Sequence, residues 1–232
     1  MKLLLLIFLI VLPAHAQGQC VILLHGLART DSSMEKLDKA LQEENFHTVN
    51  VKYPSREYSV QVLAEIAISP ALEQCQPDEE VNFVTHSLGG ILVRQYLSKN
   101  DIPRLNRVVM LGPPNKGSEV VDKLGSFPGF YFINGDAGMQ LGTGELSVAS
   151  HLGKAEFDVG VVAGTRSINW ILSALIPDKD DGKVSIERTK LEGMNDHIEM
   201  PVTHPFMMKN KKVIAQVIYY LRNGRFKREK MP

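Results

Sequence analysis

The sequence predicts an α/β architecture, a mostly parallel sheet of about six strands with helices on both faces. Three observations carry that prediction. Short runs rich in β-branched and aliphatic residues recur at 21–24, 46–53, 81–84, 107–111, 157–163 and 197–202. Segments of helical spacing stand between most of them, and alternation of this kind belongs to parallel sheets covered on both sides by right-handed crossovers. Third, in VNFVTHSLGGILVRQY (81–96) a strand turns into a helix within three residues.

In chain order, the first segment is an address. Lys2, an apolar stretch at 3–12 and Ala14-His15-Ala16 describe a secretory signal peptide over 1–16, since a membrane span needs about 20 apolar residues. The alternative is an uncleaved segment that anchors the protein to a membrane. Gln19 stands before Cys20 where a lipoprotein signal has a small residue. Residues 17–232 have the size of one well-buried domain. Without Lys2 the 26 basic residues fall to 25 against 26 acidic ones, a net charge of about −1, which gives no reason to expect nucleic acid. The expected location is periplasmic or secreted.

Cys20 and Cys75 precede the strands at 21 and 81, so if those strands are parallel neighbours an oxidising compartment makes a disulfide geometrically feasible. After the first strand, His25-Gly26-Leu27 reads as a tight turn that aims the Leu27 amide at a cleft. Ser32 with Glu35 forms a capping box for a helix striped by Met34, Leu37, Ala40 and Leu41. Pro54 breaks the strand at 46–53, and Pro70 is expected to kink or restart the helix over 59–74. Asn100 stops the helix that follows the third strand.

Gly112-Pro113-Pro114-Asn115-Lys116-Gly117-Ser118 follows the fourth strand. Over 124–146 the periodicity fails, and an irregular stretch of that length lines or covers a site, or caps the core. Phe127, Phe130, Tyr131, Phe132 and Met139 are its candidates for an apolar pocket or lid. A short helix over 168–175 carries Trp170, a polar turn holds Asp178, Asp180 and Asp181, and a helix over 210–221 ends at Asn223-Gly224. Arg225, Lys227, Arg228 and Lys230 make a basic tail, sufficient for weak contact with an anionic membrane surface.

The chemistry centres on Thr85-His86-Ser87-Leu88-Gly89, a Thr-for-Gly version of the nucleophile elbow G-x-S-x-G. A serine hydroxyl becomes a useful nucleophile when a sharp turn lifts it toward a general base, with amides at a helix start facing the oxyanion that forms. The donors expected here are the amides of Leu27 and Leu88. Candidate bases downstream of Ser87 are His151, His197 and His204. His204 follows the last strand and shares the elbow's edge of the sheet, while His197 begins that strand, roughly 20 Å or more away along an extended run. Asp181, in Asp-Asp-Gly-x-Val, is the candidate orienting carboxylate, with Asp180 as the neighbour most easily confused with it, and a solvated or calcium-tolerant surface turn is the alternative reading. His25 and His86 flank the oxyanion region as pocket or structural residues.

HGL (25–27), THSLGG (85–90), PNKGS (114–118), DDGKV (180–184) and PVTHPFMM (201–208) together resemble the lipase/esterase branch of the α/β-hydrolase superfamily, in particular small secreted bacterial triacylglycerol-lipase-type enzymes. The resemblance implies a minimal α/β-hydrolase fold without the leading antiparallel strands of larger members. It implies Ser87 as nucleophile, His204 as general base and then acid, and Asp181 as its orienter. It also implies a carboxylic-ester hydrolase acting on small-molecule or lipid esters as a monomer, with no cofactor. Some lipases of this type hold calcium near the Asp turn, but no metal ligand set is visible here. An acyltransferase or phospholipase on the same triad, and a non-catalytic lipid-binding or folding-helper domain, are the rival readings.

Overall fold

The structure is a computed structural model and describes residues 18–145, 147–168 and 170–228. The leader at 1–16 and Lys230 lie outside the described residues. The chain runs β1 (Gln19–Leu24), a 3-10 turn (Asp31–Ser33), α1 (Glu35–Glu43), β2 (His47–Val51), α2 (Val60–Leu72), β3 (Glu80–His86) and α3 (Leu88–Leu97). It continues with β4 (Leu105–Leu111), α4 (Glu119–Leu124), α5 (Phe130–Met139), α6 (Val148–His151), β5 (Val159–Gly164), α7 (Trp170–Ser173) and α8 (Ile186–Thr189). β6 (Asp196–Met200), a second 3-10 turn (His204–Lys209) and α9 (Lys211–Asn223) complete it. No helix among the described residues is long and apolar enough to cross a membrane.

All six strands are parallel, in the order β2-β1-β3-β4-β5-β6. Their side chains divide by parity. Ile22, Leu24 and Phe83 point to a core shared with α2 and α3, while Val21, Leu23 and Val84 point to a second core shared with α1 and α9. Because both faces are covered, β1 is apolar from Cys20 to Leu24. The chain leaves β1 toward β2 and then crosses back to β3, so the order reverses between β1 and β3. At such a switch point the loops leaving the two strands diverge, and a crevice opens at their carboxyl ends. The loops after β1 and β3 carry His25-Gly26-Leu27 and Ser87.

Cys20 and Cys75 are joined by a disulfide across Cα atoms 5.6 Å apart, closing a sequence separation of 55. By chain entropy, a crosslink of that span disfavours the unfolded state by about 4 kcal/mol.

Four local expectations are corrected. Ser32 and Glu35 form no capping box. Backbone bonds from Ser33 N to Thr30 O and from Met34 N to Asp31 O wind the 3-10 turn instead, and the Glu35 carboxylate takes a bond from Lys39 Nζ. Pro70 neither kinks nor restarts α2, which runs through it to Leu72, because Pro70 stands within the last turn, two residues before the end. The stretch over 124–146 is not structureless: it holds α5, whose period is hidden by a break at Gly135 (φ 63°). Within the Asp turn, α8 is an unexpected helix, capped by Ser185, whose hydroxyl accepts from Arg188 N.

Candidate active site

Ser87 sits between β3 and α3 with φ 52° and ψ −116°, a region that a side-chain-bearing residue occupies only under strain. The surrounding chain holds it there. Its amide donates to Leu111 O at the end of β4 (2.9 Å), and the helix start passes so close behind β1 that a Cβ on Gly89 would lie 2.6 Å from Leu24 O. Thr85, where the motif has Gly, is fully buried between β1 and β4 and registers with Leu24 and Met110, so the motif tolerates it as a core residue.

Three residues far apart in sequence meet here. His204 Nε2 lies 3.1 Å from Ser87 Oγ and its Nδ1 lies 2.7 Å from Asp181 Oδ2. The carboxylate can only accept, which places the proton on Nδ1 and leaves the Nε2 lone pair for the serine hydroxyl. Asp181 is fully buried, and its Oδ1 accepts from the amides of Lys183 (3.0 Å) and Val184 (2.9 Å). The His204 amide donates to Asp181 O (2.9 Å), so backbone as well as side chains fixes the pair. Asp180 turns the other way, accepting from Ser173 Oγ and from the Gly182 amide.

The other histidines are engaged elsewhere. His197, near the start of β6, meets Thr189 Oγ1 at 3.1 Å, and His151 Nδ1 donates to Ser147 O. His86 Nε2 donates to His204 O (3.0 Å), and its Nδ1 is buried with no hydrogen-bond partner among the described residues. Burial first, then the neighbouring His204, holds His86 well below its usual 6.5. An unfolded chain gains a proton on this residue as pH falls below 6.5 whereas the folded protein does not. Stability present above that pH is therefore expected to fall by about 1.4 kcal/mol per unit below it. Urea midpoints at neutral and mildly acid pH check this, and equal midpoints would contradict a buried neutral ring.

Two cavities share Ser87 as a wall. One, of about 160 Å³, is lined among others by Leu27, Arg29, His86, Lys183 and His204. The second, of about 240 Å³, is mainly apolar, with Val120, Val121, Leu124, Phe130 and Leu141 in its wall. Leu27 borders both, and Leu88 begins α3 directly after the serine. The tight turn is made differently from expectation. Positive φ falls on Ala28 (54°), held by Ser55 Oγ accepting from its amide, while Gly26 is needed because a Cβ there would lie 2.7 Å from His86 Nδ1.

Of the expected pocket residues, His86 and Phe130 line these cavities. His25 does not: it is fully buried, stacked on Tyr53 at 4.0 Å between ring centroids. Phe127, Tyr131 and Phe132 point to solvent, Tyr131 donating to Asp136 Oδ1, and the buried part of α5 is its far end, Gly135, Ala137 and Gly138. Met139 packs near Gly125 rather than in the cavity wall. Sequence reasoning missed Arg29, Lys183 and Leu172 as wall residues. Arg29 stands two residues after Leu27 and Lys183 two after Asp181, and that adjacency was the available signal. It also missed Arg94, a buried guanidinium that donates to Asn115, Ala149 and Gly153 and so ties the PNKGS loop to α3.

The class of protein that this architecture defines is the α/β-hydrolase fold, in a minimal form with six parallel strands. Among solved structures, the Bacillus licheniformis lipase BlEst2 in mature form is similar, with a TM-score of 0.71 and 18% identity, over 90% of this chain and 94% of that one. The metagenomic carboxyl esterase MGS0156 follows at TM-score 0.66 and 16% identity, over 82% of this chain and 65% of that one. The phospholipase PlaB from Legionella pneumophila is similar at TM-score 0.59 and 19% identity, over 75% of this chain and 46% of that one. No family model matches the chain, and no curated protein matches it in sequence.

Proposed function

We propose that the protein hydrolyses carboxylic esters through an acyl-enzyme on Ser87. The observation that supports this most is the continuous hydrogen-bonded line from Ser87 Oγ through His204 to Asp181 Oδ2, beside a pair of cavities. The lipases, esterase and phospholipase that share its fold agree with it.

In this reading Ser87 Oγ attacks the ester carbonyl as its proton passes to His204 Nε2, and the amides of Leu27 and Leu88 hold the oxyanion. The leaving alkoxide takes that proton as the C–O bond breaks. Water then attacks the acyl-enzyme, giving its proton to the same nitrogen, and Ser87 recovers it as the acid departs. Asp181 stays ionised and steadies the imidazolium. The leader at 1–16 and the Cys20–Cys75 bridge support export to an oxidising compartment, where such a crosslink persists.

A fluorophosphonate probe tests the nucleophile. Wild type is expected to label once, and Ser87→Ala not at all. Equal labelling of both would remove Ser87 from the reaction.

A further inference from the structure

We infer that the ester cleaved carries an anionic group, a phosphate or a carboxylate, on its alcohol side, held by Arg29 and Lys183. This rests on the esterase reading and names the substrate class for the same site.

Both cations line the smaller chamber together with Ser87 and His204. The one carboxylate in that wall is Asp181, whose oxygens are already spent on His204 and two backbone amides. Among the described residues, neither Arg29 nor Lys183 has a carboxylate within ion-pair distance. Other cations behave differently: Arg188 pairs with Glu119, Arg222 with Glu44 and Arg228 with Asp196.

The two charges are felt by their neighbours. Crowding by protein atoms first, and then the charge of Arg29, lowers the Lys183 ammonium from its usual 10.5, although the side chain also reaches solvent. Both cations help to hold His86 neutral. Among the described residues no carboxylate stands at ion-pair distance from either cation, although Asp181 offsets part of the Lys183 shift, and an anion bound in the chamber gains from both positive charges.

The direction of binding follows from the second cavity. Its wall is mainly apolar, with Ser118 and Asn134 as polar groups beside Ser87 and with Lys183 shared by both cavities, so it suits the acyl chain. Arg29 lies on the other side only. From there a groove of about 600 Å³ runs past Lys52 and Arg56, with Glu57 as the single acid in its wall. The leaving alcohol therefore departs toward positive charge, and its anionic group meets Arg29 and Lys183 on the way. A soluble phosphate monoester and a phospholipid headgroup offer the same chemistry.

The test compares two esters of one acyl group, the butyrate monoesters of propanediol phosphate and of propanediol. Wild type is expected to favour the phosphorylated ester in kcat/KM by about tenfold or more, the scale of a charge-assisted contact. The ratio should shrink as salt is added. Arg29→Gln combined with Lys183→Gln is expected to bring it to about one, while Lys183→Arg, which keeps the charge, retains the preference. A parallel arm compares lysophosphatidate with monoacylglycerol in one neutral detergent. Preference in that arm alone identifies a lipid headgroup, and preference in the soluble arm identifies a soluble phosphate. A ratio near one in both arms for wild type, or a ratio untouched by the double substitution, overturns the inference. Ser87-dependent turnover of the neutral ester reports separately on the esterase reading, and turnover of no ester at all overturns both.

Discussion

His204→Ala is expected to lower kcat for a p-nitrophenyl ester by about 10⁶-fold, the scale seen when a triad base is removed, while His197→Ala keeps most of the turnover. The reason is positional. His204 Nε2 stands 3.1 Å from Ser87 Oγ, whereas His197 stands near the opposite end of β6 and bonds Thr189. Without the imidazole the serine proton has no acceptor, and the hydroxyl keeps its ordinary low nucleophilicity. His204 is also buried against His86, so folding must be checked alongside. Thermal melts on both variants separate lost chemistry from lost structure, and the reverse pattern of activities would overturn the choice of base.

Asp181→Asn is expected to cost about 10⁴-fold in kcat while leaving the fold nearly intact, and Asp180→Asn to leave turnover close to wild type. An Asn carbonyl can still accept from the amides of Lys183 and Val184, as Asp181 Oδ1 does now. Its NH2 then faces His204 Nδ1, where Oδ2 stood, and a donor opposite Nδ1 forces the proton onto Nε2. The imidazole then presents an N–H to Ser87 and cannot take the serine proton. Among the described residues no hydrogen bond joins Asp180 to His204. Its Oδ1 braces the turn through Ser173 Oγ and the Gly182 amide, so its loss is expected in thermal stability rather than in rate. Comparable rate losses for the two variants would mean that the carboxylate assignment is misplaced.

How much was legible follows from which signals are local. The strands at β1, β3 and β4 read clearly because their apolar runs are bounded by polar turns, and a parallel sheet buries both faces of each. The elbow read clearly because strand, turn and helix are contiguous. The capping box did not hold because a 3-10 turn, which no side-chain pattern announces, is wound by bonds from the Ser33 and Met34 amides to the Thr30 and Asp31 carbonyls and moves the N-cap of α1 to Met34. The aromatic stretch misled for a similar reason. Composition marks Phe127, Phe130, Tyr131 and Phe132 alike as apolar, but among these aromatics only Phe130 lines the cavity, while the residues α5 buries are Gly135, Ala137 and Gly138. Asp180 and Asp181 are adjacent and chemically alike, so only the direction of each side chain distinguishes them.

By itself the sequence determined the succession of strands and helices and the order Ser87, Asp181, His204, because periodicity, turn residues and the ends of strands are properties of neighbours along the chain. The tertiary structure alone decided that His204 reaches Ser87, that Arg29 and Lys183 share a chamber without a carboxylate to pair them, and that His25 is packed away on Tyr53. Those are distances between residues brought together by the crossover from β1 through β2 to β3 and by the loops after β3, β5 and β6. Proton transfer and charge pairing act over a few ångströms, and a spacing of that kind exists only once the sheet has formed.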